Sequence, residues 1–263
     1  MATWLVAGLV GLLAGAGLFV GALLGYLGRL PHRAIAIVMG FGAGVLVAVL
    51  TFELVIESTE HGSIAYTAAG FFVGALLFSA VNWLLERKGA ADRKRCGACV
   101  AQPTEAEIQG SGTAIAVGAL IDGIPESIAI GLSVVAGAPR GSGLAGVSVS
   151  AALVVGFFLA NVPQGLSSAS GMREAGRSRR YVLGVWAGVA LASGLAAVVG
   201  VALFSDAGDQ FLATITALAA GGVLAMLAET MIPEAFHRNM AFIGLVTAVG
   251  FMVAVLLGAE AMT

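Results

Sequence analysis

The chain has 263 residues, 59% of them hydrophobic and 11% charged, with 38 glycines and a formal net charge of −2. Such a composition belongs to a polytopic membrane protein and excludes a large soluble domain. Apolar windows of about 20 residues, each long enough to cross roughly 30 Å of hydrocarbon, recur along its whole length.

Eight windows are predicted in chain order, at 3–28, 34–58, 63–86, 112–137, 145–170, 181–204, 210–235 and 240–260. The expected fold class is all-α, a polytopic membrane protein with a single transmembrane domain over 1–263. The first window lacks a basic leader and a small-residue cleavage site, so it reads as a permanent helix and not a removable signal. One long polar segment, 87–111, joins the third and fourth windows and is expected as a cytoplasmic loop. It holds the only two cysteines, Cys96 and Cys99. A lone C-x-x-C supplies half a zinc ligand set, and a reducing compartment favours free thiols over a metal relay.

The basic residues alternate between loops. Arg29, Arg33, Arg87, Lys88, Arg93, Lys94, Arg95, Arg173, Arg177, Arg179, Arg180 and Arg238 fall on one face, and only Arg140 on the other. With 12 of the 13 Lys+Arg residues on one side, the positive-inside rule puts those loops in the cytoplasm and both termini outside. The expected location is a cell inner membrane, crossed many times, with periplasmic or extracellular ends.

Six carboxylic acids lie inside the apolar windows with no lysine or arginine beside them: Glu53, Glu57, Asp122, Glu126, Glu229 and Glu234. An ionisable group at the bilayer centre costs about 3 kcal/mol even on the lenient insertion scale, so its default reading is functional. Without basic partners these acids are protonated, hydrated or neutralised by a bound cation, which is the pattern of a cation pathway. Asp122 and Glu126 are four apart, hence on one helical face, and Pro125 lies between them. Asn161, Pro163 and Gln164 repeat the arrangement in the next window. A mid-helix proline frees the carbonyl four residues earlier to face a cavity. Two carboxylates one turn apart repel, and either share a proton or bind a cation.

The second and seventh windows also resemble each other: Gly44-Val45-Leu46 precedes Glu53 and Glu57, and Gly222-Val223-Leu224 precedes Glu229 and Glu234. Running in opposite directions, they suggest an inverted repeat of three, two and three helices, with Glu57 near the outer mouth and Glu234 near the inner one. Glycine-rich helices also look alike by chance; the paired acids at matching ends favour the repeat. The three histidines, His32, His61 and His237, lie near helix ends and read first as interfacial residues, with His61 and His237 as candidate vestibule ligands.

These features together resemble the ZIP (Zrt/Irt-like) family of divalent metal transporters. Its members have eight helices with both ends outside, a variable loop after the third, and motifs of the H-N-x-P-E-G kind on helices four and five. Asp122-Gly123-Ile124-Pro125-Glu126-Ser127 and Ala160-Asn161-Val162-Pro163-Gln164-Gly165 stand in those places. Aligned on the prolines, the family's helix-four histidine becomes Asp122 and its glutamate is kept as Glu126. On helix five the amide is kept as Asn161 and the glutamate becomes Gln164. The helix-six glutamate is missing from Ser193-Gly194-Leu195-Ala196-Ala197. The resemblance therefore implies a single metal site at most, built from Asp122, Glu126, Asn161 and Gln164, with Glu53, Glu57, Glu229 and Glu234 along the pathway. Oxygen donors in place of imidazole move preference toward manganese, iron(II) or magnesium without excluding zinc.

The expected activity is passive or secondary transport of a divalent transition metal, zinc, iron or manganese, toward the cytoplasm. The resemblance implies an elevator-like shift of the metal-bearing helices. No nucleotide-binding loop of the G-x-x-x-x-G-K-[ST] type occurs, so energy is expected from the ion gradient or a coupled ion. The protein is read as no enzyme and as needing no cofactor. Its partners are divalent metal ions and the lipid bilayer, with no nucleic acid; a homodimer is left open. The alternative is a degenerate member that binds metal for regulation or moves another cation. A remote one is an intramembrane hydrolase using Ser127, Ser167, Ser168 or Ser170, which lacks a mid-membrane histidine or lysine as base.

Overall fold

The structure is a computed structural model that describes residues 3–28, 30–87, 102, 104, 107–108, 111–136, 150–236 and 241–261. The described helices are α1 (Thr3–Leu27), α2 (His32–His61), α3 (Ile64–Leu85), α4 (Ser111–Ala136), α5 (Ala151–Glu174), α6 (Arg179–Phe204), α7 (Asp209–Phe236) and α8 (Ile243–Ala261). Among the described residues there is no strand. Seven of these helices are long and apolar enough to cross a membrane, and α8 is a shorter apolar helix of 19 residues. The chain is thus an all-helical, multi-pass membrane protein. Most of the predicted 87–111 loop, with Cys96 and Cys99, lies outside the described residues.

The predicted limits differ most at the fifth helix, which begins at Ala151 rather than 145 and ends at Glu174 rather than 170. Two local contacts set those ends. The Ser150 hydroxyl accepts from the Leu153 amide at 3.2 Å, an N-cap that starts the helix there. At the far end Gly176 takes a φ of 78° and the Arg177 amide donates to the Met172 carbonyl at 3.0 Å, a left-handed turn that ends the helix.

Small residues face neighbouring helices and large ones face outward, as expected where lipid and leucine are equally apolar and close backbone approach drives association. In α1 the buried positions include Ala7, Gly11, Ala14, Gly17 and Gly21, whereas Leu9, Leu13 and Leu24 are exposed. The tightest seams are backbone against backbone. Gly21 of α1 meets the Val162 carbonyl of α5, and Gly165 of α5 meets the Leu18 carbonyl of α1. The α2–α8 pair joins through Gly44 against Thr247 and Gly250 against Phe41. The α3–α7 pair joins in the same manner, through Gly221 against Phe71 and Gly74 against Leu218.

That correspondence is the packing expected of an inverted repeat, because exchanging α2 with α7 and α8 with α3 turns one seam into the other. The sequence likeness pairs Gly44 with Gly222. The backbone seams pair Gly44 with Gly221, and in that register Glu57 coincides with Glu234, each 13 residues further on. Each helix also carries a π-helical stretch just before that acid, Leu50–Ile56 in α2 and Leu227–Met231 in α7. Such bulges re-aim the side chains that follow and recur at functional sites.

Candidate metal centre

Two prolyl rings mark where α4 and α5 meet the helix pairs around them. A side chain at Gly42 of α2 would begin 2.5 Å from Pro163 Cγ, and one at Gly222 of α7 would begin 3.1 Å from Pro125 Cγ. Each ring therefore fills the niche left by a glycine on a facing helix. Lacking an N–H, Pro125 and Pro163 also deprive the carbonyls of Ile121 and Leu159 of their usual helical partner.

Beside these rings lie the four residues singled out by sequence. Asp122, Glu126 and Asn161 are each 3% exposed and Gln164 is 2% exposed. Gln164 Nε2 donates to Glu126 Oε1 at 3.2 Å and to Asn161 Oδ1 at 3.2 Å. Asn161 Nδ2 in turn donates to the Ala14 carbonyl of α1 at 3.1 Å. A continuous polar chain thus crosses from α4 through α5 to α1. Asp122 is buried one turn before Glu126 on the same helix. From α6, Ser193 approaches the same turn, with its hydroxyl 3.6 Å from where a Gly123 side chain would start. A hydrogen bond to a charged group contributes about 1.5–3 kcal/mol, so the Gln164 contact offsets part of the cost of burying Glu126.

The remaining acids divide. Glu234 is buried and accepts from the Ser167 hydroxyl of α5 at 3.4 Å, linking the end of α7 to the site helix. Glu57 is half-buried near Glu53, Glu60 and His61. Glu53 and Glu60 line a cavity of about 360 Å³ whose walls include Phe52, Ala152, Ala254 and Gly258, between α2, α5 and α8. A second cavity of about 360 Å³, lined by Ile121, Pro125, Leu218 and Gly222, lies between α4, α3 and α7, the corresponding helices under the exchange but at a different level along them. Glu229 turns away from both, onto Ser79 and Asn82 of α3. Those α3 partners were missed in the sequence reading, although Ser79, Asn82 and Glu86 have helical spacing.

His61 is exposed, and its Nδ1 donates to the Glu57 carbonyl at 3.0 Å. His32 lies 3.9 Å from the Glu174 carboxylate. His237 lies outside the described residues. The serines are held in the framework: Ser127 donates to the Gly123 carbonyl at 2.7 Å, Ser170 accepts from Arg173 at 3.5 Å, and Ser168 is fully buried. Among the described residues no three His, Cys, Asp or Glu side chains gather closely enough to hold a metal by themselves. The side-chain oxygens beside Asp122 and Glu126 that could add to a donor set are those of Asn161 and Gln164.

No protein-family model matches the chain. It is 28% identical over 232 residues to the zinc transporter ZupT of an Enterobacter species, covering 85% of this chain and 84% of that one. It is 30% identical over 139 residues to the zinc transporters ZupT of Salmonella newport and Salmonella heidelberg, covering 51% of this chain and about half, 52%, of theirs. With its helical membrane architecture, this likeness to proteins named zinc transporters supports the resemblance to the ZIP family of divalent metal transporters.

Proposed function

We propose that the protein carries divalent transition-metal ions across a cell inner membrane into the cytoplasm, using Asp122, Glu126, Asn161 and Gln164 as the transient site. The observation that carries this reading is the single Gln164 nitrogen between Glu126 Oε1 and Asn161 Oδ1. Two acceptors trained on one point receive positive charge there, from an N–H or from a metal ion. Loading the ion requires the Gln164 amide to turn so that Oε1 faces it. The oxygens also draw in, from a 3.2 Å hydrogen-bond separation to the 2.0–2.2 Å typical of zinc or manganese. Relatives named zinc transporters favour zinc among the cargoes, and the oxygen donors admit manganese and iron(II).

The route runs from Glu53 and Glu57 at the outer end, through the centre, to Ser167 and Glu234 at the inner end. The packing supports an elevator-like step. Helices α1 and α5 lock backbone to backbone, and α6 joins them through Gly11 against the Ser193 carbonyl and joins α4 through Gly131 against Ala197. Helices α2 with α8 and α3 with α7 lock in the same way. Between these groups the contacts are side chain to glycine, at Gly42–Pro163, Gly222–Pro125 and Gly156–Val49. Such seams slide at lower cost than interlocked backbones, and the two flanking cavities leave room for the shift.

Metal uptake by proteoliposomes tests the reading. Saturable zinc, manganese or iron(II) entry above that of protein-free vesicles is expected. Metal binding without entry would favour the regulatory alternative, which the absence of a third charged ligand among the described residues makes the runner-up.

A further inference from the structure

Glu229 makes contacts that the transport site does not use. From the π-helical turn of α7 it reaches α3, where the Ser79 hydroxyl donates to Oε1 and Asn82 Nδ2 donates to Oε2 at 2.7 Å. The same Asn82 nitrogen donates to Glu86 Oε1 at 3.0 Å. Ser79, Asn82 and Glu86 are three and four apart and form one stripe along α3 and its end. Two carboxylates from separate helices thus converge on one neutral amide. Among the described residues neither has a cationic partner, and Arg87 lies instead over the Trp83 ring, 3.6 Å from its centre.

A second observation is independent of the acids. Asn82 is only 2% exposed, and its Oδ1 is buried without a hydrogen-bond partner. Buried amide oxygens are nearly always satisfied, so an orphan beside two carboxylates calls for an explanation. The amide has two orientations. With its nitrogen toward the acids it holds them apart by hydrogen bonds and strands its oxygen; turned over, it adds that oxygen to theirs, which is favourable only when a cation sits among them.

We propose that Glu86, Glu229, Asn82 and Ser79 form a second divalent-cation site, bridging α3 and α7 apart from the α4–α5 centre. Carboxylate, amide and hydroxyl oxygens make it a hard site suited to magnesium or manganese. The ion ties together the two helices already interlocked at Gly74 and Gly221, at the end of α3 that leads into residue 88 and beyond. Its oxygens come from α3 and α7 alone and none from the α4–α5 centre, so the ion is assigned a fixed, non-transported role. The assignment does not depend on the transport reading, because none of its residues is a proposed ligand of that centre.

Manganese binding by the full-length protein in lipid nanodiscs, followed by loss of the free-ion electron paramagnetic resonance signal, is the test. With the α4–α5 centre disabled by Glu126→Gln, one ion per chain is still expected to bind. Adding Glu86→Gln and Glu229→Gln abolishes it, while Asn82→Leu weakens it at least about tenfold. Manganese also raises the melting temperature of the Glu126→Gln protein but not of the triple variant, which separates binding from misfolding. Binding of equal strength in the triple variant, or none in Glu126→Gln, overturns the site. If wild type binds a single ion that only Glu86→Gln with Glu229→Gln removes, this site stands and the α4–α5 reading falls; if only Glu126→Gln removes it, the reverse holds.

Discussion

Gln164 Nε2 on α5 donates to Glu126 Oε1 on α4 across 3.2 Å, so the one charged group that the family motif retains is held by the residue that replaced its second glutamate. The substitution converts a repulsive carboxylate pair into a hydrogen bond. It makes the amide a donor to Glu126, and under the proposed function also an oxygen ligand once metal is bound. Gln164→Leu removes both. Thermal unfolding in detergent is expected to show a loss of about 1.5–3 kcal/mol for the missing bond to a charged group, and metal uptake is expected to fall.

Restoring the family donors changes selectivity. In Asp122→His with Gln164→Glu, nitrogen replaces one oxygen ligand and a second carboxylate replaces an amide, which favours zinc over manganese. Competition between the two metals for uptake is expected to shift toward zinc relative to wild type. Unchanged competition places the binding site elsewhere.

In the proposed site protons would compete with metal for Asp122 and Glu126, which lie one turn apart and are both buried. Metal binding releases any proton they hold, so apparent affinity is expected to fall as the medium is acidified. Asp122→Asn leaves one carboxylate and flattens that dependence. Uptake measured from acid to neutral pH in both proteins checks this, and identical profiles would move the titrating group to Glu57 or Glu234.

Two glycines distinguish an interlocked backbone seam from one that is proposed to slide. Gly165→Ala drives a methyl group into the Leu18 carbonyl, backbone that cannot yield, and is expected to cost at least about 1–3 kcal/mol of stability. Gly42→Ala meets only the edge of the Pro163 ring, at 2.5 Å. A protein that folds yet transports more slowly is expected there. Melting temperature and initial uptake rate distinguish the two outcomes.

The helices were legible in the sequence because each buries an uninterrupted apolar stretch, and the centre because carboxylates and prolines are rare in such stretches. Glu126 and Asn161 both lie within hydrogen-bond reach of Gln164, as the family resemblance implied. The start of α5 was not legible, since 145–150 is as apolar and glycine-rich as a helix start and only the Ser150 cap marks the boundary. Nor was the register of the repeat. Gly221 and Gly222 are adjacent and identical, and only the Phe71 carbonyl lying against one of them decides which answers to Gly44. Glu229 read as a pathway acid because its partners stand about 150 residues away on α3, a pairing set by helix packing and not by local pattern.

Uptake of zinc and manganese into proteoliposomes by wild type and Glu126→Ala, compared at equal amounts of folded protein, tests the central claim most directly. Removing a buried carboxylate takes away a charge whose burial is costly, so the variant is expected to fold. Its saturable flux is expected to vanish while the wild type retains it. Wild-type flux in Glu126→Ala would contradict the account, because the ion would then pass without the carboxylate on which the proposed site depends.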